Sequence, residues 1–400
     1  METFADNPII KNDIAFFAKT NFRNEQIKFG IKQADRRAHF YVIGKTGTGK
    51  STVLEALMHS DVLSGNGFAL LDPHGDLVAK VKNLIPKSRL DDLIYFDVPD
   101  KDQPFGFNPL NSILPEQRPL AASGLLSAFK SIWVDSWGPR LEHILRNCLL
   151  ALLDYPKASL ADIPKLLDDE KFRGHVMSSV TNSQVRDFWQ KEYRSYPPRL
   201  RSDAIAPLQN KVGAFLSNPI LYKILTQPKQ SIKLRSVMDQ KKILLVNLSK
   251  GKIGEDTASL LGALLVHRFW LAALSRTDTA EEERIDFQLY LDEFHNFVPA
   301  SLAQMLSESR KVRLNLVLAN QFLTQLPLPL RDAILGNVGT IIVFRIGAND
   351  AETIAMEFAP EFKITDFTNL PNYHIYLKLM IDGKISRPFS AVTLPPDSVS

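Results

Sequence analysis

Residues 44–51 read Gly44-Lys45-Thr46-Gly47-Thr48-Gly49-Lys50-Ser51, a G-x-x-x-x-G-K-S loop, directly after the apolar run His39-Phe40-Tyr41-Val42-Ile43. Thr52-Val53-Leu54-Glu55-Ala56-Leu57-Met58 then opens a helix. Strand, glycine-rich loop and helix in that order form the context that a phosphate loop requires. Glycines let backbone N–H groups curl around phosphate oxygens, and the helix N-terminus adds its positive dipole end. Residues Gly44, Lys45, Thr46, Gly47, Thr48, Gly49, Lys50, Ser51 and Thr52 are therefore the candidate nucleotide contacts. Lys50 supplies a mobile charge, and Ser51 offers a hydroxyl ligand to Mg²⁺. The chain is expected to bind a nucleoside triphosphate.

Outward from the loop, further strand-like runs lie at 67–71, 93–96, 243–248, 287–291, 314–319 and 340–346. Most are continuously apolar, as expected of a mostly parallel sheet with helices on both faces, the α/β class. Between the third and fourth of the seven runs, residues 115–237 show helical periodicity with almost no strand signal. The expected organisation is an N-terminal extension over 1–38, a core built from 39–114 and 238–400, and an inserted all-helical subdomain over 115–237. The chain closes with the pattern His374–Met380, Asp382-Gly383, Ile385–Ala391, a β-hairpin around a D-G turn, expected at the sheet edge.

The 400 residues are ample for a buried core, and 48 basic against 44 acidic residues give a net charge of only +4, so any nucleic-acid surface must be local. The single cysteine, Cys148, excludes an intramolecular disulfide and reads as a core thiol in a reducing compartment, the cytoplasm. The most apolar stretch, Ala258 to Leu274, is short and is interrupted by His267-Arg268, so no intrinsic membrane span is expected, nor a signal peptide at Met1–Asp6.

Hydrolysis needs an acidic site beside the phosphate loop. Phe287-Gln288-Leu289-Tyr290-Leu291-Asp292-Glu293 provides one: a strand delivers Asp292 to a magnesium shell and Glu293 to an attacking water, whose proton it can accept. A later strand ends at Asn320-Gln321, and the amide of Gln321 can sense a γ-phosphate or hold the water. Just upstream of that strand, Arg310 is the first candidate for a guanidinium presented to a neighbouring subunit's nucleotide, with Arg345 the second. Asp72, in the turn Asp72-Pro73-His74-Gly75-Asp76, is a candidate for the magnesium or water network or a turn-forming residue. Lys191, Arg194, Arg199 and Arg201, interleaved with aromatics, read either as a DNA contact or as an ordinary solvated surface over core aromatics.

Four segments, residues 44–52, 70–76, 289–297 and 309–322, together resemble the HerA/FtsK superfamily of hexameric DNA-pumping ATPases, and in particular the soluble motor part of type IV secretion coupling proteins of the TraG/TraD kind. The Gly138–His143 stretch resembles the signature that opens the insertion of that family. The resemblance implies a RecA-like P-loop NTPase core, ATP and Mg²⁺ as cofactors, and non-sequence-specific DNA as partner. It also implies a homohexameric ring and partner proteins of a secretion or conjugation apparatus, with peripheral placement at the inner membrane through them. It matches Arg310, eleven residues before Gln321, to the family's arginine finger, and Gln321 to its conserved-motif glutamine. The N-terminus departs from the family pattern, because only about 38 residues precede the first core strand. The expected function is ATP-driven DNA translocation, with a nucleotide-gated receptor or scaffold of a secretion apparatus as the alternative.

Overall fold

The computed structural model describes residues 13–21, 25–133, 137–226, 230–297 and 301–398. The first twelve residues, including Met1–Asp6, lie outside them. In chain order the strands are β1 (Ile14–Thr20), β2 (Lys28–Lys32), β3 (Phe40–Ile43), β4 (Gly67–Asp72), β5 (Leu93–Asp97), β6 (Phe105–Gly106), β7 (Gln230–Ser231), β8 (Ile243–Asn247), β9 (Phe287–Leu291), β10 (Leu314–Asn320), β11 (Thr340–Val343), β12 (His374–Lys378), β13 (Met380–Ile381), β14 (Lys384–Ile385) and β15 (Phe389–Thr393). Eleven of them form one sheet in the order β2-β1-β15-β12-β11-β3-β10-β9-β4-β8-β5. Neighbours from β11 to β5 pair in parallel, and those from β12 to β2 antiparallel.

The parallel strands are mostly apolar because each face meets its own core, although Gln288, Asn315 and Asn320 are buried within them. From β3, Tyr41 and Ile43 enter one core and Phe40 and Val42 the other; β4 divides in the same way, with Ala69 and Leu71 against Phe68 and Leu70. Each fully buried side chain of this size contributes about 1.5–3 kcal/mol to holding the seven-stranded parallel block together. The helices Lys50–Leu63 and Asp76–Asn83 cover one face, and the helix Glu255–Leu274 covers the other. Glu255–Asp278 is long and apolar enough to cross a membrane by length and composition, but 72% of its apolar window is buried inside the fold.

Among the described residues between Pro115 and Asp239 the regular elements are helices apart from the short β7, which pairs with β6 at the neck where this section leaves and rejoins the core. Cys148 is buried in its helix Pro139–Asp154. Trp189 and Tyr193 are buried, whereas Lys191, Arg194 and Arg199 are exposed, with Lys191 paired to Asp187 at 3.0 Å. Trp189 and Tyr193 are therefore core residues beneath a solvated basic surface, and Tyr196 is half-buried.

Two placements differ from the sequence reading. The C-terminal strands β12 and β15 pair antiparallel, with Asp382 (φ +50°) and Gly383 (φ +76°) turning β13 into β14, but the hairpin does not end the sheet. The edge belongs to β1 and β2, from residues expected to be an extension; Ala18 pairs with Thr393 and Thr20 with Ala391. Phe17 and Ala18 are both fully buried because a bulge between Phe16 and Ala18 breaks the alternation along β1.

Candidate active site

Parallel pairing places the ends of β3, β10, β9 and β4 on one edge of the sheet, where open α/β sheets form their ligand crevice. Ile43 is level with Asn320, and Leu291 with both Leu318 and Leu71. The next residues along these strands are the phosphate loop, Gln321, Asp292-Glu293 and Asp72. Candidates up to about 275 residues apart in sequence thus line one cavity of about 480 Å³ with Lys50, Ser51, Asp292, Glu293 and Gln321 on its wall.

The loop is hung from three points: Gly44 N donates to Asn320 O (3.4 Å), Lys45 N to Arg345 O (2.9 Å), and Tyr373 N to Thr48 O (2.7 Å). Gly44 must be glycine, because a Cβ there would lie 2.5 Å from Phe344 Cβ. Gly47 and Gly49 adopt φ of +76° and +121°, a region that side chains disfavour. The helix begins at Lys50, so its unpaired N–H groups face the cavity. Lys50 Nζ donates to Gly44 O (2.7 Å) and lies 3.6 Å from Glu293 Oε1. Burial lowers its pKa, opposed by the charges of Glu293 and Asp292.

Glu293 sits at φ +43°, an uncommon conformation for a residue with a side chain, of the kind that clusters at functional sites. Its Oε1 accepts from Gln321 Nε2 (3.0 Å), and Gln321 Oε1 accepts from Thr46 Oγ1 (2.9 Å). A continuous chain thus runs from the phosphate loop through Gln321 to the carboxylate. Glu293 Oε2 is buried without a hydrogen bond, 3.5 Å from His295 Nδ1. Burial, then Asp72 and Glu293, push the pKa of Asp292 up to about 7.

These features fit a hard divalent cation. Ser51 and Asp292 offer oxygen donors, and the crowded carboxylates gain most from added positive charge. Mg²⁺ is bound through one or two protein oxygens with waters and phosphate oxygens completing its shell, a part that Ser51 and Asp292 could fill.

Asp72 is a capping residue in this arrangement. Its Oδ1 accepts from His74 N (2.8 Å), and its Oδ2 from Leu77 N (2.9 Å) and Val78 N (3.1 Å), at the start of the helix Asp76–Asn83. It acts on the site through its charge on Asp292.

The two candidate arginines lie at opposite edges of the sheet. Arg345 follows β11 beside the phosphate loop, with Nη1 donating to Leu370 O (3.2 Å) and Nη2 to Asn372 Oδ1 (2.9 Å). Arg310 precedes β10, exposed, and its charge acts on the buried His39 that precedes β3. Gln321 and Arg310 therefore stand beyond opposite ends of β10, whose seven residues span about 20 Å at roughly 3.3 Å per residue. Arg310 does not reach its own chain's phosphate loop.

Tyr373 was not among the sequence candidates. It lines the cavity at φ +65°, half-exposed, with its ring where a Cβ on Gly49 would touch it. Its local sequence carries no signal of this, because the contact joins segments more than 300 residues apart.

Residues 22–268, more than half of the chain, match the family model for the central domain of the helicase HerA, a match that includes the phosphate loop and Asp72 and ends before Asp292. Over 92 residues the chain is 34% identical to the type 4 coupling protein DotL of Legionella pneumophila, a segment that spans 22% of this chain and 12% of that protein. In fold it is similar to the bacterial conjugative coupling protein TrwBdeltaN70, with TM-score 0.65 and 18% identity over 92% of this chain and 86% of that one. It is equally similar to VirB4 of Thermoanaerobacter pseudethanolicus, with TM-score 0.65 and 12% identity over 97% of both chains. TrwB structures include complexes with the non-hydrolysable ATP analogue ADPNP and with ADP and Mg²⁺.

Proposed function

We propose that this chain, which belongs to the family of the HerA helicase central domain, is an ATP-hydrolysing motor of the secretion-coupling type that moves DNA through a homohexameric ring. Similarity to DotL, and in fold to TrwB and VirB4, supports the secretion or conjugation setting, with the protein cytoplasmic and held at the inner membrane by partners. The observation that carries the reading is β10, which holds Gln321 in the phosphate site at one end and presents Arg310 outward at the other.

In this reading the backbone of Gly44–Thr52 cradles the triphosphate and Lys50 moves from its carbonyl contacts onto the phosphates. Bound Mg²⁺, held by Ser51 and Asp292, would neutralise charge on the phosphate oxygens. Glu293 orients the attacking water and takes its proton, and its unpaired Oε2 is the atom suited to that task. Gln321 holds the other oxygen of Glu293 and, through Thr46, registers the position of the phosphate loop. Arg310 reaches a neighbour's phosphates and stabilises charge there. Because Gln321 directly follows the buried strand β10 and Arg310 lies in the turn Ser309–Val312 that leads into it, a change at one site shifts the guanidinium offered to the next. A ring is required for this coupling, and the substrate it encloses is DNA, gripped through its phosphates without base specificity.

The test is ATP hydrolysis with and without DNA, over a range of protein and salt concentrations. DNA-stimulated turnover that rises with protein concentration, with salt suppressing the stimulation far more than the basal rate, is the expected result. Hydrolysis insensitive to DNA but altered by a protein partner would overturn it in favour of a nucleotide-gated receptor.

A further inference from the structure

The core helix Glu255–Leu274 carries His267 and Arg268 in its middle, and the nucleotide site uses neither. His267 packs against Gly124, where any Cβ would clash with its ring, and burial pushes its pKa down to about 4; it is a neutral core imidazole. Arg268 is not settled in this way. Its Nη2 donates to Asn111 O (2.7 Å), while Nε and Nη1 are shut off from solvent and make no hydrogen bond. Burial alone moves its pKa, down to about 10, and no acidic group opposes the shift. A buried guanidinium without a counter-charge is costly, and such groups are ordinarily paired.

Arg268, part-buried as a residue, lines a cavity of about 240 Å³ at the neck of the helical section, and because Nε and Nη1 are closed to water it is Nη2, with its second N–H, that an occupant would meet. No Asp or Glu lines this cavity. Three cationic side chains do, of which Arg235 is already paired with Asp239 and Asp278, leaving Arg268 and the exposed Lys233. Gln117 and Ser236 add neutral polar groups. The walls come from the segment that enters the helical section, from the segment that leaves it, and from the core helix, so an occupant would touch all three.

We propose that this cavity is a binding site for a small oxyanion, a phosphate- or carboxylate-bearing molecule neutralised by Arg268. Its volume is below the range of sites for drug-sized ligands and too small for a nucleotide, which leaves inorganic phosphate or a short organic acid. Occupancy ties both connections of the helical section to the core helix and stiffens the joint between the two. The site is independent of the phosphate loop and of the motor reading.

Inorganic phosphate and succinate are the two probes, titrated at constant ionic strength into the full chain carrying Lys50→Ala, in which phosphate-loop binding is weakened. The Arg268 Nε–Hε resonance, assigned by its loss in Arg268→Lys, and the melting temperature are followed together. A saturable shift with Kd below about 1 mM is expected for at least one probe, and which probe is tighter assigns the ligand as phosphate or carboxylate. Arg268→Gln should weaken binding at least tenfold while the protein stays folded, since it removes an uncompensated charge. If neither probe shifts the resonance, or if Arg268→Gln binds with unchanged affinity, water alone solvates the guanidinium and the site does not exist. Should Arg268→Gln fail to fold, the resonance of Arg268 in the otherwise unaltered cavity still decides.

Discussion

Asp292→Asn should make the nucleotide- and Mg²⁺-free protein more stable above neutral pH while ending hydrolysis. In the folded chain, burial and the charges of Asp72 and Glu293 raise the Asp292 carboxyl from 3.8 to about 7. Between those values the folded state holds a proton that the unfolded chain has released. Stability from this group is therefore full below pH 3.8 and is lost as pH rises to 7, at about 1.4 kcal/mol per pH unit and about 4 kcal/mol in all. Asparagine cannot ionise, and its amide oxygen can still accept from Glu293 N, as Asp292 Oδ1 does at 3.1 Å. Urea unfolding in EDTA at pH 5 and pH 8 reads the difference. The stability gap between variant and wild type should widen by about 2–3 kcal/mol from the lower to the higher pH. Excess Mg²⁺ should flatten the pH dependence of the wild type and leave that of the variant unchanged. An equal gap at both pH values, or a variant less stable at pH 8, would refute the crowding of carboxylates on which the cation site rests.

Asp72→Ala should cost about 1–2 kcal/mol at neutral pH by removing the cap of the helix Asp76–Asn83, whereas Asp72→Asn should cost less and lower the apparent pKa of Asp292, read by the same unfolding series. Lys50→Ala should abolish tight ATP binding, while Glu293→Gln should keep nucleotide bound and stall turnover; fluorescent-nucleotide binding beside phosphate release separates the two. Wild-type turnover in Glu293→Gln would remove Glu293 as the base.

The parallel block was legible because strands buried on both faces are mostly apolar, and because three of them deliver a recognisable group at their ends: the glycine loop after β3, Asp292-Glu293 after β9 and Gln321 after β10. The edge strands were not. In β1 the bulge puts Phe17 and Ala18 inward together, so the period of two that marks a half-buried strand is lost, and its partner β15 lies about 370 residues away. Asp72 shows the same limit at the site. An Asp-Pro turn after a strand is compatible with catalysis and with capping, and only the three backbone N–H groups converging on its oxygens decide for capping. Tyr373 and the Gln321–Glu293 contact are tertiary juxtapositions with no local pattern. Arg310 was already the first candidate in the sequence; which edge of the sheet each arginine occupies, the ground on which we propose it over Arg345, is a property of strand direction that the composition of their neighbourhoods does not carry.

The intersubunit claim is tested most directly by mixing two variants, each inactive alone: Arg310→Ala, which keeps an intact phosphate loop, and Lys50→Ala, which keeps an intact Arg310. Loss of Arg310 alone should cut turnover by roughly 10³-fold or more, the scale of a trans-acting arginine, with ATP affinity of the isolated subunit nearly unchanged. In mixed rings, verified by native mass measurement, some sites pair a working Lys50 with a neighbour's Arg310, and ATPase activity should partly return. Mixed rings that stay inactive would contradict the account and move the charge-stabilising role to a residue within the same chain, with Arg345 beside the phosphate loop the first to examine.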